Sequence, residues 1–119
     1  MTPDGRTLAP DRVAGLVRAG EAEVIDVRTR EEHEAGHVPG DRHVPFDALS
    51  AEAATLAGQR VLVFYCRSGE RSGAAAEAFA ASGSEAYSME GGLLAWAEAG
   101  RPLEPEGGEL TVQSTLPPR

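Results

Sequence analysis

Residues 61–82 read VLVFYCRSGERSGAAAEAFAAS, and this stretch decides the fold. Val61 to Tyr65 form an apolar run without a polar break, rich in residues that favour extended chain. Such a run fits a strand buried on both faces, as in a parallel sheet. Cys66, the sole cysteine, follows, and then Arg67, Ser68, Gly69, Glu70 and Arg71. Beyond them Ala75, Ala78, Phe79 and Ser82 recur at helical spacing, and Ser72 stands where a helix N-cap is expected. The reading places a thiol where a buried strand ends and a helix begins.

That position has electrostatic consequences. The free N–H groups and the dipole of a helix N-terminus favour negative charge. Arg67 and Arg71 add to this, and Glu70 opposes it. The thiolate is the nucleophilic form of cysteine, so Cys66 is expected to ionise below the range of a free thiol. Gly69 lets the backbone turn tightly and bring amides inward. The expected object is a ring of N–H groups around one sulfur atom that is open to solvent. The bland alternative is a buried, inert cysteine. The coincidence of strand, arginine-bracketed glycine loop and helix argues against it.

Working outward, Thr7 and Leu8 suggest a short edge strand. Pro10 suits the first position of a helix whose apolar face is Val13, Leu16 and Val17, and Gly20 ends it. Ala9 offers no cap to that helix. Val24 to Val27 read as a strand with Arg28 at its carboxyl end. Thr29 and Glu32 have capping-box spacing and open a short helix. Gly36 to Gly40 is a turn by its glycine and proline content. His43 and Val44 suggest a short strand stopped by Pro45. Phe46 to Leu49 lead to a helix over Ala51 to Ala57, stopped by Gly58. Ala86 to Met89 alternate as a strand does, and Glu90-Gly91-Gly92 is a tight turn able to bring backbone near the Cys66 loop. Leu93, Leu94 and Ala97 form a helical apolar face, with Trp96 as core or rim packing. Gly100 and Pro102 terminate that helix.

The alternation of strands and helices implies an α/β fold: an open, mostly parallel sheet flanked by helices on both faces. Residues 1–105 are read as one domain and 106–119 as a tail, with Leu110 to Val112 a candidate for transient strand pairing. The chain has 119 residues and a net charge of −8, which disfavours nucleic acid and anionic membrane surfaces as partners. No stretch is long and apolar enough to span a bilayer, and no apolar leader is visible at the start. One cysteine excludes an internal disulfide, so a reducing, cytoplasmic location is expected. No cofactor is implied. One cysteine and no histidine pair at ligand spacing leave no metal signature, with His33 and His43 read as non-ligands.

The loop Cys66-Arg67-Ser68-Gly69-Glu70-Arg71 resembles the active loop of the rhodanese-like sulfurtransferases. The resemblance extends to Asp26-Val27-Arg28, Glu31-Glu32-His33, Gly36-His37-Val38-Pro39-Gly40 and His43-Val44-Pro45 upstream. Downstream it includes Glu90-Gly91-Gly92 and Ala95-Trp96. These pieces occur in the family's order. The resemblance implies a five-stranded sheet with the loop at the carboxyl end of its central strand. It implies Cys66 as the persulfide carrier and Arg67, Ser68, Gly69, Glu70 and Arg71 as the rest of the substrate loop. Asp26, Arg28 and His37 are expected to brace loops and turns, not to take part in chemistry.

The implied reaction moves a sulfane sulfur from a small anionic donor such as thiosulfate to cyanide or a thiol. A thioredoxin-like or other sulfur-carrier protein is a further acceptor. Tandem members that use thiosulfate carry a basic residue in the loop's third position and an arginine upstream; here those positions hold Ser68 and Glu32. Arg67 and Arg71 remain to attract a dianion. Persulfides on proteins or small thiols are then alternative donors. Phosphatases and arsenate reductases of the same fold are the nearest enzymatic rivals. They are disfavoured because Tyr65, not histidine, precedes Cys66 and only four residues separate Cys66 from Arg71. A sulfur-relay or regulatory binding module with little small-molecule turnover is the alternative from another class.

Overall fold

The structure is a computed structural model and describes residues 6–56 and 60–105. The expected stop at Gly58, the tail 106–119 and the pairing of Leu110 to Val112 lie outside the described residues, as does most of the N-terminal lead. Strands β1 (Thr7–Leu8), β2 (Ala22–Asp26), β3 (Arg42–His43), β4 (Val61–Tyr65) and β5 (Ala86–Met89) form one sheet. Its order is β1-β5-β4-β2-β3, and every pairing is parallel. The helices are α1 (Pro10–Arg18), α2 (Arg30–Ala35), α3 (Leu49–Leu56), α4 (Glu70–Ala81) and α5 (Gly92–Glu98). This is the α/β architecture expected from the alternation of elements.

The apolar run of β4 has a direct structural cause. Successive side chains of a strand point to opposite faces. Leu62, Phe64 and Cys66 pack with Leu49 and Leu56 of α3 and with Ala75, Ala76 and Phe79 of α4. Val63 and Tyr65 pack on the other face with Val13 and Leu16 of α1 and Leu93 and Trp96 of α5. The central strand is covered on both sides, so both parities must be apolar. Each of Leu62 and Phe64, fully buried, contributes about 1.5–3 kcal/mol relative to exposure.

Element boundaries differ from expectation in several places. β2 begins at Ala22 and stops at Asp26; beyond it the Val27 amide still bonds the Tyr65 carbonyl, and the Val27 carbonyl turns to the Phe46 amide. The short third strand is Arg42–His43, set by pairing with Ile25 and Asp26. A 3-10 turn at Phe46–Ala48 runs directly into α3, which starts at Leu49. Ser72 is not an N-cap. Gly69 holds that place with φ 122, and α4 begins at Glu70. The glycine reaches a backbone conformation closed to side-chain-bearing residues, so the helix starts earlier. Ser72 then faces inward from the first turn. The capping box at Thr29 and Glu32 is present: Glu32 N–H donates to Thr29 Oγ1 and Thr29 N–H to Glu32 Oε1.

Candidate active site

Cys66 follows the last residue of the central strand, at the carboxyl end of the sheet, where open α/β folds place their sites. The Gly69 N–H donates to Cys66 Sγ at 3.1 Å, and the Ser72 hydroxyl lies 3.5 Å from it. Burial pushes the Cys66 thiol up. The Ser72 hydroxyl and the amides of Ser72, Gly69 and Arg71 pull it down by more, and the net position is below the ordinary thiol range. Of the inward amides expected from the loop, that of Gly69 is therefore in place.

The openness expected of the sulfur is not. Cys66 is 2 % exposed and belongs to the apolar cluster under α3 and α4. Arg67, Ser68 and Glu70 are exposed and Gly69 is half-buried. The first turn of α5 also holds the loop. Leu93 N–H donates to the Cys66 carbonyl at 2.9 Å and Leu94 N–H to the Arg67 carbonyl at 3.2 Å. In a trans peptide the N–H points opposite to the preceding C=O, so these two bonds turn the Arg67 and Ser68 amides away from α5. Gly92 makes the approach possible. It has φ 62, and a Cβ there would stand 2.5 Å from the Arg67 carbonyl oxygen and 2.6 Å from that of Cys66.

Arg71 lies in the first turn of α4 and bridges to Glu32 of α2 at 3.2 and 3.4 Å. Burial pushes the Glu32 carboxyl up, and the Thr29 amide and the Arg71 guanidinium hold it below its usual range overall. Burial likewise lowers Arg71, while Glu32 and the field of Cys66 raise it overall. The charge of Arg71 is thus largely answered within the protein. Arg67 is exposed and forms no ion pair among the described residues. A groove of about 820 Å³ runs beside the loop, bordered by Ser68, Gly69, Glu70, Glu77, Ser88 and Glu90.

The remaining residues singled out in the sequence gather around Tyr65, on the sheet face of α1 and α5. Asp26 and Arg28 are both fully buried. Arg28 Nε donates to Asp26 Oδ1 at 2.9 Å, Nη2 donates to Oδ2 at 2.8 Å, and Nη2 also donates to the Gly36 carbonyl at 2.7 Å. Burial pushes the Asp26 carboxyl up, but the Arg28 guanidinium holds it below the usual carboxylate range. His37 Nδ1 contacts Asp41 Oδ1 at 2.9 Å, and its backbone pairs with Glu104. Tyr65 donates to Asp41 Oδ2 at 2.6 Å and accepts from the Val38 amide at 3.0 Å.

No histidine pair at ligand spacing is expected, yet the fold stacks three imidazoles. His33 lies 3.9 Å from His37 and 4.4 Å from His43, ring centre to ring centre. The spacing of His33 and His37 by one helical turn was the only local signal. His33 Nδ1 contacts Asp26 Oδ2 at 2.9 Å, and His43 Nε2 contacts the Arg28 carbonyl at 2.8 Å. His33, His37 and Asp41 bring potential ligand atoms within 4.8 Å of one another. The Nδ1 atoms of His33 and His37 face Asp26 and Asp41 in this network.

Fold and loop together define a class, and comparison with known proteins specifies it. The rhodanese-like domain family matches residues 9–99, and the chain belongs to that family. It is similar to an HTH-type transcriptional regulator of Mycobacterium tuberculosis, 38% identical over 89 residues, covering 72% of this chain and 39% of the regulator. It also covers less than two thirds of two uncharacterized bacterial relatives, 65% of one and 54% of the other. The thiosulfate sulfurtransferase GlpE of Pseudomonas aeruginosa is 32% identical over 97 residues, covering 81% of this chain and 87% of that enzyme. Among solved structures, a rhodanese-related protein from Thermoplasma volcanium is 26% identical with a TM-score of 0.78, covering 85% of this chain and 99% of that one.

Proposed function

We propose that the protein is a sulfurtransferase that carries a sulfane sulfur as a persulfide on Cys66. The observation that carries this reading is the convergence of the Gly69 amide and the Ser72 hydroxyl on one sulfur at the N-terminus of α4. Preorganised donors of this kind stabilise anionic sulfur before and after it accepts a second sulfur atom.

The reaction balances as two displacements. The Cys66 thiolate attacks the sulfane sulfur of the donor. A new S–S bond forms, the donor's own S–S bond breaks, and sulfite leaves with the electron pair when the donor is thiosulfate. The acceptor nucleophile then attacks the outer sulfur and releases the Cys66 thiolate. Cyanide would leave as thiocyanate, and a thiol would leave as a persulfide. Because Cys66 is 2 % exposed, attack needs its surroundings to open a path to the sulfur. Asp26, Arg28 and His37 are assigned to bracing, since each is spent on ion pairs or hydrogen bonds that tie loops together.

The donor proposed first is a persulfide on a thiol or a protein, ahead of thiosulfate. Glu32 answers the charge of Arg71, and Glu70, Glu77 and Glu90 border the groove, so a small dianion gains little from this surface. The same observation favours the relay reading, in which sulfur passes to one carrier protein. The domain 1–105 is taken as the unit that does this, within a reducing, cytoplasmic compartment. The four-residue spacing between Cys66 and Arg71 argues against phosphate or arsenate as substrate, since a loop one residue shorter than that of the rival enzymes makes a smaller cradle.

Intact mass spectrometry tests the chemistry. Incubation with thiosulfate or a thiol persulfide is expected to add one sulfur atom, removable by cyanide. A protein that gains no mass with either donor, under conditions where Cys66 is alkylated, overturns the proposal. Turnover with cyanide separates the two readings: multiple turnovers support the enzyme, and transfer only to a carrier protein supports the relay.

A further inference from the structure

Ser88 is a buried polar residue that the chemistry above does not use. It is 2 % exposed, and its hydroxyl lies 2.8 Å from that of Ser72, which is itself 3.5 Å from Cys66 Sγ. The three side chains come from three elements: the strand β5, the helix α4 and the end of β4. Sheet register brings them together. Ser88 pairs with Phe64, and strand alternation puts it on the same face as Phe64 and Cys66, beneath the first turn of α4.

A hydroxyl has one proton to give and lone pairs to receive. When Cys66 is a thiolate, the Ser72 proton must point at the sulfur, and the Ser88 proton then turns to the Ser72 oxygen. When Cys66 is a thiol, its proton can point at Ser72 and both hydroxyls reverse. The chain has two directions, and the charge on sulfur selects between them. We propose that Ser88 is a positioning residue that acts through Ser72, holding the Ser72 hydroxyl as a donor to the Cys66 thiolate and thereby setting the pH range in which Cys66 is nucleophilic. This rests on the reading of Cys66 as the nucleophile. On ionisation the thiol proton leaves to solvent, and the two hydroxyl protons only rotate, so no covalent bond to either serine is made or broken.

The charged groups around the sulfur are Arg67, Glu70 and Arg71 on the loop and first turn of α4, Glu32 of α2 through Arg71, and Glu77 and Glu90 along the groove. The substitution Ser88→Ala changes none of them. A shift it causes therefore reports the hydroxyl chain.

The test is the pH dependence of alkylation of the single thiol by iodoacetamide, with thermal melts run alongside. Ser88→Ala is expected to raise the midpoint by about 0.5 to 1 pH unit, about a three- to ten-fold lower thiolate fraction below it. Ser88→Thr, which keeps the hydroxyl, is expected at the wild-type midpoint. In a Ser72→Ala background Ser88→Ala should add nothing, because its route to the sulfur is gone. An unchanged midpoint in folded Ser88→Ala overturns the proposal, as does an equal shift with and without Ser72. If the alanine variant does not melt cooperatively, Ser88→Val against Ser88→Thr makes the same comparison at matched shape, and equal midpoints overturn it. Alkylation and sulfur uptake are separate readouts. A shifted midpoint without any mass gain removes the sulfurtransferase reading and leaves the role of Ser88. A mass gain with an unshifted midpoint removes Ser88 and leaves the reaction.

Discussion

Cys66 illustrates how one residue can be tuned by two opposed effects. Burial favours the neutral thiol, while the Ser72 hydroxyl and three backbone amides favour the thiolate and prevail. The sign for stability follows. Folding favours the ionised form, so the group adds stability above the free-thiol range and loses it as pH falls through the lower folded value. Cys66→Ser is expected to abolish the sulfur mass gain while leaving the melting temperature within a few degrees of wild type. A persistent mass gain would show that another group carries the sulfur. Glu32→Gln probes the second residue of the site. Glutamine still serves the capping box but no longer neutralises Arg71. The expected outcome is a several-fold lower KM for thiosulfate with little change in kcat, read by steady-state kinetics. Arg67→Ala should move KM for anionic donors the other way.

At the scale of elements, the site is a joint between β4, α4 and the start of α5. The helix α5 contributes no side chain to the sulfur, yet its first amides clamp the carbonyls of Cys66 and Arg67. Gly92 is the residue on which that clamp depends. Gly92→Ala places a methyl group within 2.6 Å of two carbonyl oxygens and adds the cost of a left-handed conformation. The backbone term alone is about 1–3 kcal/mol. Denaturant melts should show at least that loss, and the alkylation midpoint of Cys66 should move as the loop shifts. A stable variant with an unmoved midpoint would mean that the clamp does not shape the loop.

Across the whole molecule, the two faces of the sheet do different work. The face under α3 and α4 holds Cys66 with its serines, and the face under α1 and α5 holds the ionic network of Asp26, Arg28 and Asp41. Asp26 and Glu32 both have folded values below their ordinary ones. Each adds stability above its unfolded value, about 3.9 and 4.3, and loses it as pH falls through the lower folded value. Asp41 runs the other way. Burial raises it above its ordinary value, so it costs stability as pH climbs past the unfolded value. Melting temperature is expected to fall on acidification below about pH 4, with Asp26 and Glu32 outweighing Asp41. Asp26→Asn should flatten that fall and lower stability at neutral pH by roughly 3–5 kcal/mol, because Arg28 is left buried without its carboxylate. Equal pH profiles for the two proteins would remove Asp26 from the acid response.

Local patterns were sufficient for whatever depends on near neighbours in the chain. The double-sided apolar run at 61–65 announced a strand covered on both of its faces. The Thr29 and Glu32 spacing announced a capped helix, and the glycine pair at 91 and 92 a close backbone approach. These are properties of consecutive residues and their periods. What only the tertiary structure decided were pairings across the sheet and between helices. Arg71 meets Glu32 from 39 positions away, and Ser88 reaches Ser72 from the neighbouring strand. Three histidines from separate segments stack in one column. Gly69 took the start of α4 from Ser72, and the apolar cluster under α3 and α4 took in a sulfur expected to lie open. A period tells which face a side chain takes, but the partner waiting on that face is set by how the strands are ordered and registered.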